Sequence, residues 1–387
     1  MRLTLLTLLL GAGIGLYAQQ PKVMSMQECV DLAVQNNLNV QRARLNLETS
    51  EVNKKQADFQ RYPNANANSS FGYSWGRSID PSTNQFITQR IESFNAGANS
   101  GIVLFNGRTI NSTIKQRDAD VGASEYDVEK ASNDVQLNVV TFYLNVIFNQ
   151  ELLENARFQL ESSKEQLERT KKLVAAGSLP ISNQLELVSQ VSTNEVNLIN
   201  AENNLNLAYL TLKQAMLLPA SDNMTIVVPE FEIEEVDLSV SSEQVYGMAE
   251  QSLPEIKAVD RRVESAEFNY QSQVGGYYPT LSLNAGLSTI YSDARVQPVF
   301  DEFGVPVVNN QGDPVFETIP FGTQFKDNLS RFVSLGLNIP IFNRYAQRAN
   351  VQRSKISMQQ ASINALEQRN FLRQTIETAF NDAQAAS

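Results

Sequence analysis

The chain has 387 residues, a net charge of −11, no histidine and one cysteine, Cys29. The acidity leaves no basic stripe to neutralise phosphates, so nucleic acid is excluded as a partner. Lacking histidine, the chain is without the commonest catalytic base and the commonest transition-metal ligand.

Residues 1–18 read as a secretory signal: Arg2, an apolar run over 3–16, and small Ala18 before the cut. The run is short for a bilayer helix, which needs about 20 apolar residues. The mature chain, from Gln19, has no second long apolar run and is not expected to cross a membrane as a helix. Cys29 lies well past the cut, in an amphipathic pattern, as a small core residue.

Residues 24–60 read as helix, opened by the capping-box pair Ser25 and Glu28. The pattern stops at Arg61-Tyr62-Pro63, because the residue before a proline is pushed out of the α region. Strict alternation follows. Ala65, Ala67, Ser69, Phe71, Tyr73 and Trp75 share one face; asparagine, serine and glycine fill the other. After a polar tract comes a second such strand, with Phe94, Ala96, Ala98, Ser100, Ile102 and Leu104 against Asn95, Gly97, Asn99 and Gly101. Strands of roughly 11 residues have the length of a tilted transmembrane β-strand. A Phe105-Asn106 elbow then hands the chain to heptads running from 108 to 176, one seam being Val139, Val146, Leu153, Leu160, Leu167 and Val174. Such a helix is on the order of 100 Å long. Gly177-Ser178-Leu179-Pro180 breaks it, and a second helical pattern returns antiparallel. Residues 218–241 form a break with one β-like run at 225–228 and an acidic patch at 230–237.

The module then repeats. A helix over 242–275 ends at Tyr278-Pro279, matching Tyr62-Pro63. A strand with Leu281, Leu283, Ala285, Leu287 and Tyr291 follows, then a long polar loop over 292–328. The last strand carries Val333, Leu335, Leu337, Ile339 and Ile341, and its elbow Phe342-Asn343 matches Phe105-Asn106. The chain thus divides into a signal at 1–18, a first repeat at 19–241 and a second at 242–387. By the repeat arithmetic about 27 residues of outgoing helix and the whole returning helix would follow Ser387, so the second repeat is expected to be truncated before its tip.

The fold class expected is α+β: a long antiparallel α-helical coiled coil plus β-hairpins. No catalytic constellation, P-loop, CxxC or HExxH occurs, and an enzyme is not expected. Neither a cofactor nor a metal site is expected; Asp301, Asn309, Asn310 and Asp313 lack EF-hand spacing. A strand with one apolar and one amide face fits a soluble sandwich or a membrane barrel. Three neighbouring features favour the barrel: the secretory signal, the presence of only two hairpins, and aromatic residues at strand ends (Phe71, Tyr73, Trp75, Phe94, Tyr291, Phe332). Phe71, Tyr73, Trp75, Ile102, Leu104, Leu281, Leu283, Leu335 and Leu337 are the positions expected to face lipid. Four strands cannot close a barrel with a lumen, so several chains would share one. The turn at 177–181 reads equally as a plain loop or as a docking surface.

The chain resembles the outer-membrane efflux protein family, the TolC-like channels. The resemblance rests on SMQECVDLAVQNNLNV and its echo EQVYGMAEQSLPEI, the turns RYPNANANSSFGYS and YYPTLSLNAGLST, and the elbows VLFNGR and IPIFNRY. The opening is similar to members from the Bacteroidetes. The resemblance implies a homotrimer in the outer membrane with a periplasmic helical extension, its β-barrel shared by the three protomers. It implies a passive exit duct of a tripartite efflux pump or a type I secretion system. Implied partners are a periplasmic adaptor (membrane fusion protein), an inner-membrane RND or ABC transporter, and outer-membrane lipid. Adaptor docking would fall on Gly177, Ser178, Leu179, Pro180 and Ile181. Asn183 would lie near the periplasmic aperture, where the family often has aspartate. The helix–strand turns at Pro63 and Pro279 and the elbows Phe105, Asn106, Phe342 and Asn343 would join barrel to helices. A heavy-metal efflux channel and a periplasmic coiled-coil adaptor or structural protein remain the alternatives.

Overall fold

In the computed structural model of the chain, residues 22–79, 84, 86–88, 90–229 and 240–386 are described. The expected signal at 1–18 and the acidic patch at 230–237 lie outside them. In chain order the elements are β1 (Lys22–Met24), α1 (Met26–Asn36), α2 (Leu38–Phe59), β2 (Asn64–Ser74), β3 (Arg77–Ile79), β4 (Phe86–Thr88) and β5 (Ile91–Phe105). Then come α3 (Thr109–Ala175), α4 (Ile181–Ala215), β6 (Met224–Ile226), α5 (Ser242–Ser252) and α6 (Pro254–Gly275). The chain continues with β7 (Thr280–Ser292), β8 (Val296–Pro298), β9 (Phe316–Thr318), α7 (Phe321–Asp327), β10 (Ser330–Asn338) and α8 (Ala346–Ala386).

These elements form two compact units. One comprises Met1–Leu47, Glu125–Glu255 and Ile376–Ser387; the other comprises Glu48–Ser124 and Ile256–Thr375.

The first unit is built on α3 and α4. Its core gathers Cys29, Ala33 and Val40 against Val139, Tyr143, Val146 and Leu212. Along the same pair of helices Leu160, Leu167 and Val191 form a second cluster. Arg157 lies 3.7 Å from Glu202 and Lys164 3.1 Å from Glu195. Seven residues forward on α3 is therefore seven back on α4, which makes the pair an antiparallel hairpin. The seam expected from the heptads is the buried one, since Val139 and Val146 are fully buried and Leu153, Leu160 and Leu167 nearly so.

Two expectations need correction here. Met24 is not helical. It belongs to β1, which pairs in parallel with β6, the β-like run read at 225–228. A three-residue strand cannot declare itself by periodicity. Its hydrogen bonds come from a partner some 200 residues away, and buried Tyr143 holds the pair by donating its hydroxyl to Met24 O (3.3 Å) and to Val227 O. Burial pushes the Tyr143 phenol above its ordinary value, and nearby Cys29 adds to this, so the donor proton stays in place. Tyr143→Phe removes the donor to Val227 O, while Met24 O keeps its bond from Val227 N (3.1 Å). We expect about 1–3 kcal/mol of lost stability, read as a lower urea midpoint in the helical signal.

The second correction is that neither repeat starts with one continuous helix. Each is broken at the same place, at Asn37 between α1 and α2 and at Leu253 between α5 and α6. Both break residues are extended (φ −61°, ψ 129° and φ −68°, ψ 132°), and each donates its N–H back, to Ala33 O and Ala249 O. The capping boxes repeat as well. Ser25 N donates to Glu28 Oε2 (2.7 Å) and Ser241 N to Gln244 Oε1 (3.0 Å).

In the second unit a four-stranded antiparallel sheet runs in the order β10-β7-β5-β2. Each repeat supplies one hairpin of it, and β5 pairs with β7 to join them. The loop at 292–328 is not a plain polar tract. It contains the β8–β9 hairpin, α7, and a turn assembly with an eight-residue period. Within that assembly Val307 N donates to Val299 O, Val315 N to Val307 O, and Val299 N to Val315 O, closing a triangle of hydrogen bonds.

Candidate functional site

Facing residues in an antiparallel pair share a face of the sheet. Phe71 faces Phe94, which faces Tyr291; Ile102 faces Leu283, which faces Leu335; Leu281 faces Leu337. Tyr73 continues the same face, and the Trp75 ring just past the strand end lies tilted beside it (ring centroids 6.1 Å apart). The sheet thus brings these expected apolar positions together on one face. That face is uncovered over most of its extent: Val333 is 75% exposed, Leu335 64% and Leu337 62%. Side chains of this kind are normally buried, and a contiguous exposed patch marks a contact surface.

Two residues depart from the expected alternation. A bulge lies between Val103 and Phe105, which face Ser282 and Leu281. One extra residue on β5 therefore opposes the partner strand, and that residue is Leu104. Phe105, expected only at the elbow, takes its place on the apolar face. Phe332 is displaced in the other sense. It faces Gly286, on the amide side, and its ring fills the space where a Cβ on Gly286 would stand (2.6 Å to the ring). Aromatic cover of a cross-strand glycine explains the position.

The amide face carries Asn64, Asn66 and Asn68 on β2 and Asn95 and Asn99 on β5, with Asn284 and Ser334 beyond. It has no charged residue: among the described residues the four strands hold only Glu92 and Arg331, both in register with the apolar set.

At the loop end the apolar face is partly covered by α7. Phe321 meets Phe94 (5.6 Å), Tyr291 (5.3 Å) and Phe325 (5.7 Å). The fully buried Gln324 amide fixes the helix, donating to Ser292 O and Ile319 O (2.8 Å each) and accepting from Ser292 N (3.1 Å). Phe94 and Tyr291 are therefore an aromatic cluster with α7 as well as strand-end aromatics.

The two elbows have one geometry. Asn106 Oδ1 accepts from Ile110 N and Asn343 Oδ1 from Gln347 N, each at 3.4 Å. Each asparagine is followed by two left-handed residues, Gly107 and Arg108 (φ 63° and 68°) or Arg344 and Tyr345 (φ 53° and 69°). Phe105 and Phe342 precede them, both exposed. The helix–strand turns before Pro63 and Pro279 also match: Tyr62 N donates to Phe59 O and Tyr278 N to Gly275 O, both at 3.0 Å.

The tip closes α3 with a Schellman motif. Ser178 N donates to Leu173 O (2.9 Å) and Gly177 N to Val174 O (3.0 Å), with Gly177 at φ +72°. Pro180 is the N-cap of α4, and Ile181, 64% exposed, starts it. Gly177, Ser178, Pro180 and Asn183 are exposed and Leu179 half-buried. In the loop at 292–328, Asp301 Oδ1 accepts from Phe303 N and Val305 N, and Asn309 Oδ1 from Gln311 N and Asp313 N (2.9 Å each). These side chains build turns. Among the described residues no cluster of acidic, histidine or cysteine side chains is placed to hold a metal ion, and no helix is long and apolar enough to cross a membrane.

Residues 29–216 match the family model described as Outer membrane efflux protein. Over that span the chain belongs to the outer membrane efflux protein family. It is 23% identical to the cation efflux system protein CusC of Escherichia coli O157:H7 over 371 residues, covering 90% of this chain and 67% of that protein. It is 24% identical to the outer membrane protein TolC of Vibrio cholerae over 200 residues, 52% of this chain and 45% of that one. Among solved structures, the Vibrio cholerae outer membrane protein VceC superposes with a TM-score of 0.74 at 14% identity, covering 93% of this chain and 79% of that chain. A CusC structure superposes at 0.71 and 18% identity, covering 96% and 78%. The family is one of outer-membrane efflux channels, not enzymes.

Proposed function

We propose that three copies of this chain share one barrel of about 12 strands, and that the assembly is a passive outer-membrane exit duct. The apolar face contacts lipid, the amide face lines a water-filled bore, and α3 and α4 extend it into the periplasm. The sheet supports this reading most directly. It has two free edges, β2 and β10, one exposed apolar face and one uncharged hydrogen-bonding face. Pairing β10 of one copy with β2 of the next removes both edges, which an isolated chain leaves open to aggregation.

The tip at 177–181 is the docking surface for a periplasmic adaptor, and Asn183 lies beside the aperture. An inner-membrane RND or ABC transporter supplies the energy. With no charge on the strand part of the bore, that part rejects neither anions nor cations, so selection of cargo falls to the pump. The full chain, extracted from outer membranes in detergent, is expected to run as a trimer by light scattering and to give steady conductance in a planar bilayer. A monodisperse monomer that stays dissolved without detergent would overturn the reading.

A further inference from the structure

The helices of the second unit lie side by side in the order of its strands. α2 meets α3 through Ser50 and Ser124 (2.9 Å) and through Lys54 and Asp118. α3 meets α6 on another face, where the Thr113 and Ser272 hydroxyls are 3.0 Å apart and Ser265 donates to Asp120 Oδ1. α6 then meets α8, with Arg369 donating to both Asp260 oxygens (2.8 and 2.9 Å) and Gln347 to Gln273 O. The lateral order α2-α3-α6-α8 therefore follows β2-β5-β7-β10. α6 is flanked on two sides, whereas α2 and α8 stand at the ends. Each end helix leaves a branched apolar side chain in the open: Val52 on α2 is 60% exposed and Ile356 on α8 53%.

The duplication says what belongs on those open sides. Pro63 and Pro279 set the shift from α2 to α6 at 216 residues, and Asn106 and Asn343 set that from α3 to α8 at 237. Moved by these amounts, the Ser50–Ser124 contact lands on Ala266 and Ala361. That is between the Gln347–Gln273 and Arg369–Asp260 contacts that α8 and α6 make. The two repeats thus pack their own helices in one register. We infer that the outer side of α2 is the docking surface for α8 of a second copy, in the register with which α6 docks on α3. The inference rests on the channel reading, in which β10 of one copy pairs with β2 of the next and brings together the helices joined to those strands. Under the same shifts Gln56 stands in for Ser272, Thr49 for Ser265, Asn350 for Thr113 and Ser357 for Asp120. Ser265 and Ser272 are buried, while their counterparts Thr49 and Gln56 are exposed. The chemistry changes with the seam. Ala119, 3% exposed beside Asp120, becomes Ile356, and Phe268 becomes Val52. The carboxylate that holds Ser265 inside the chain is absent from the equivalent place between copies. There an isoleucine knob meets a valine, flanked by amide and hydroxyl pairs, as packed helices require of facing positions.

The test uses the full chain in detergent and two matched pairs of cysteines, Gln56→Cys with Asn350→Cys and Thr49→Cys with Ser357→Cys. Each pair replaces the counterparts of side chains that touch in the internal seam, within the reach of a disulfide. After oxidation, both should give dimer- and trimer-sized species on a non-reducing gel. The swapped pairs, Gln56→Cys with Ser357→Cys and Thr49→Cys with Asn350→Cys, use the same four sites seven residues out of register. That is about 10 Å along the helix, and their linked fraction should be lower by roughly fivefold or more. Cys29 is buried and common to all four variants. Two matched pairs keep the test open if one variant fails to assemble. Swapped pairs that link as well as matched ones would overturn the register. Matched pairs that link only within a monomer, or not at all in a protein that light scattering still finds trimeric, would overturn the seam and leave the channel standing. A wild type that stays monomeric and dissolved without detergent would overturn the channel reading, and this seam with it.

Discussion

Leu335→Arg is expected to abolish stable insertion of the trimer, whereas Ser334→Arg, one residue away, leaves insertion intact and shifts ion selectivity toward anions. The pair is diagnostic because neighbouring residues on a strand point to opposite faces. Leu335 faces Leu283 on the apolar side and Ser334 faces Asn284 on the amide side. An arginine on a lipid face near the bilayer midplane costs about 2–4 kcal/mol. In the proposed three-copy barrel this multiplies to roughly 6–12 kcal/mol, comparable with the whole stability of a typical domain. In a water-filled bore the same side chain stays hydrated and costs little. It acts instead on permeant ions, because a ring of three guanidinium groups repels cations. Trimer yield in outer membranes reads the first effect and reversal potential in a salt gradient the second. If the two variants behave alike, or if Ser334→Arg is the one lost, the faces are assigned the wrong way round.

The features legible in the sequence were those with a long period. Eleven residues of alternation over Asn64–Ser74 fix a strand and its two faces, and the 67 residues of α3 announce themselves by heptads free of proline. The duplication was visible because it repeats caps and turns as well as hydrophobicity; the structure extends it to the breaks at Asn37 and Leu253. What escaped was short or non-local. β1 is three residues long and depends on β6. A one-residue bulge at Leu104 reverses the parity of everything after it, and no local pattern announces it. By residue type Phe332 resembles a membrane-interface aromatic, although counting from Val333 already puts it on the amide side. α7 covers Tyr291 through contacts that residue spacing cannot express. The hydroxyl of Tyr143 was missed for the same reason, although a tyrosine in an apolar seam always raises the question of where its proton goes.

The elbows carry the second large effect, and the duplication itself supplies the control. Gly107 and Arg344 occupy equivalent positions and share a left-handed backbone, φ 63° and 53°. Conformation alone therefore does not require glycine, since the second elbow manages with arginine. Space makes the difference. A Cβ on Gly107 would stand 2.7 Å from Tyr278 Cβ and closer still to Gly275 O, so backbone meets backbone where the first elbow packs under the end of α6. Nothing there is the far end of a flexible side chain that could swing away. Gly107→Ala is expected to cost more than about 3 kcal/mol, as overpacking adds to left-handed strain. Gly275→Ala strikes the same contact from the other side, with Gly107 O 2.8 Å from the new Cβ, and should behave alike. Arg344→Gly removes left-handed strain without touching that contact and should gain up to about 1 kcal/mol. Opposite signs at two positions of identical conformation, read as shifts in the thermal dissociation of the trimer, would separate crowding from backbone strain. Equal losses at both would mean that the elbow depends on conformation, and that the close approach of Gly107 to Gly275 is incidental.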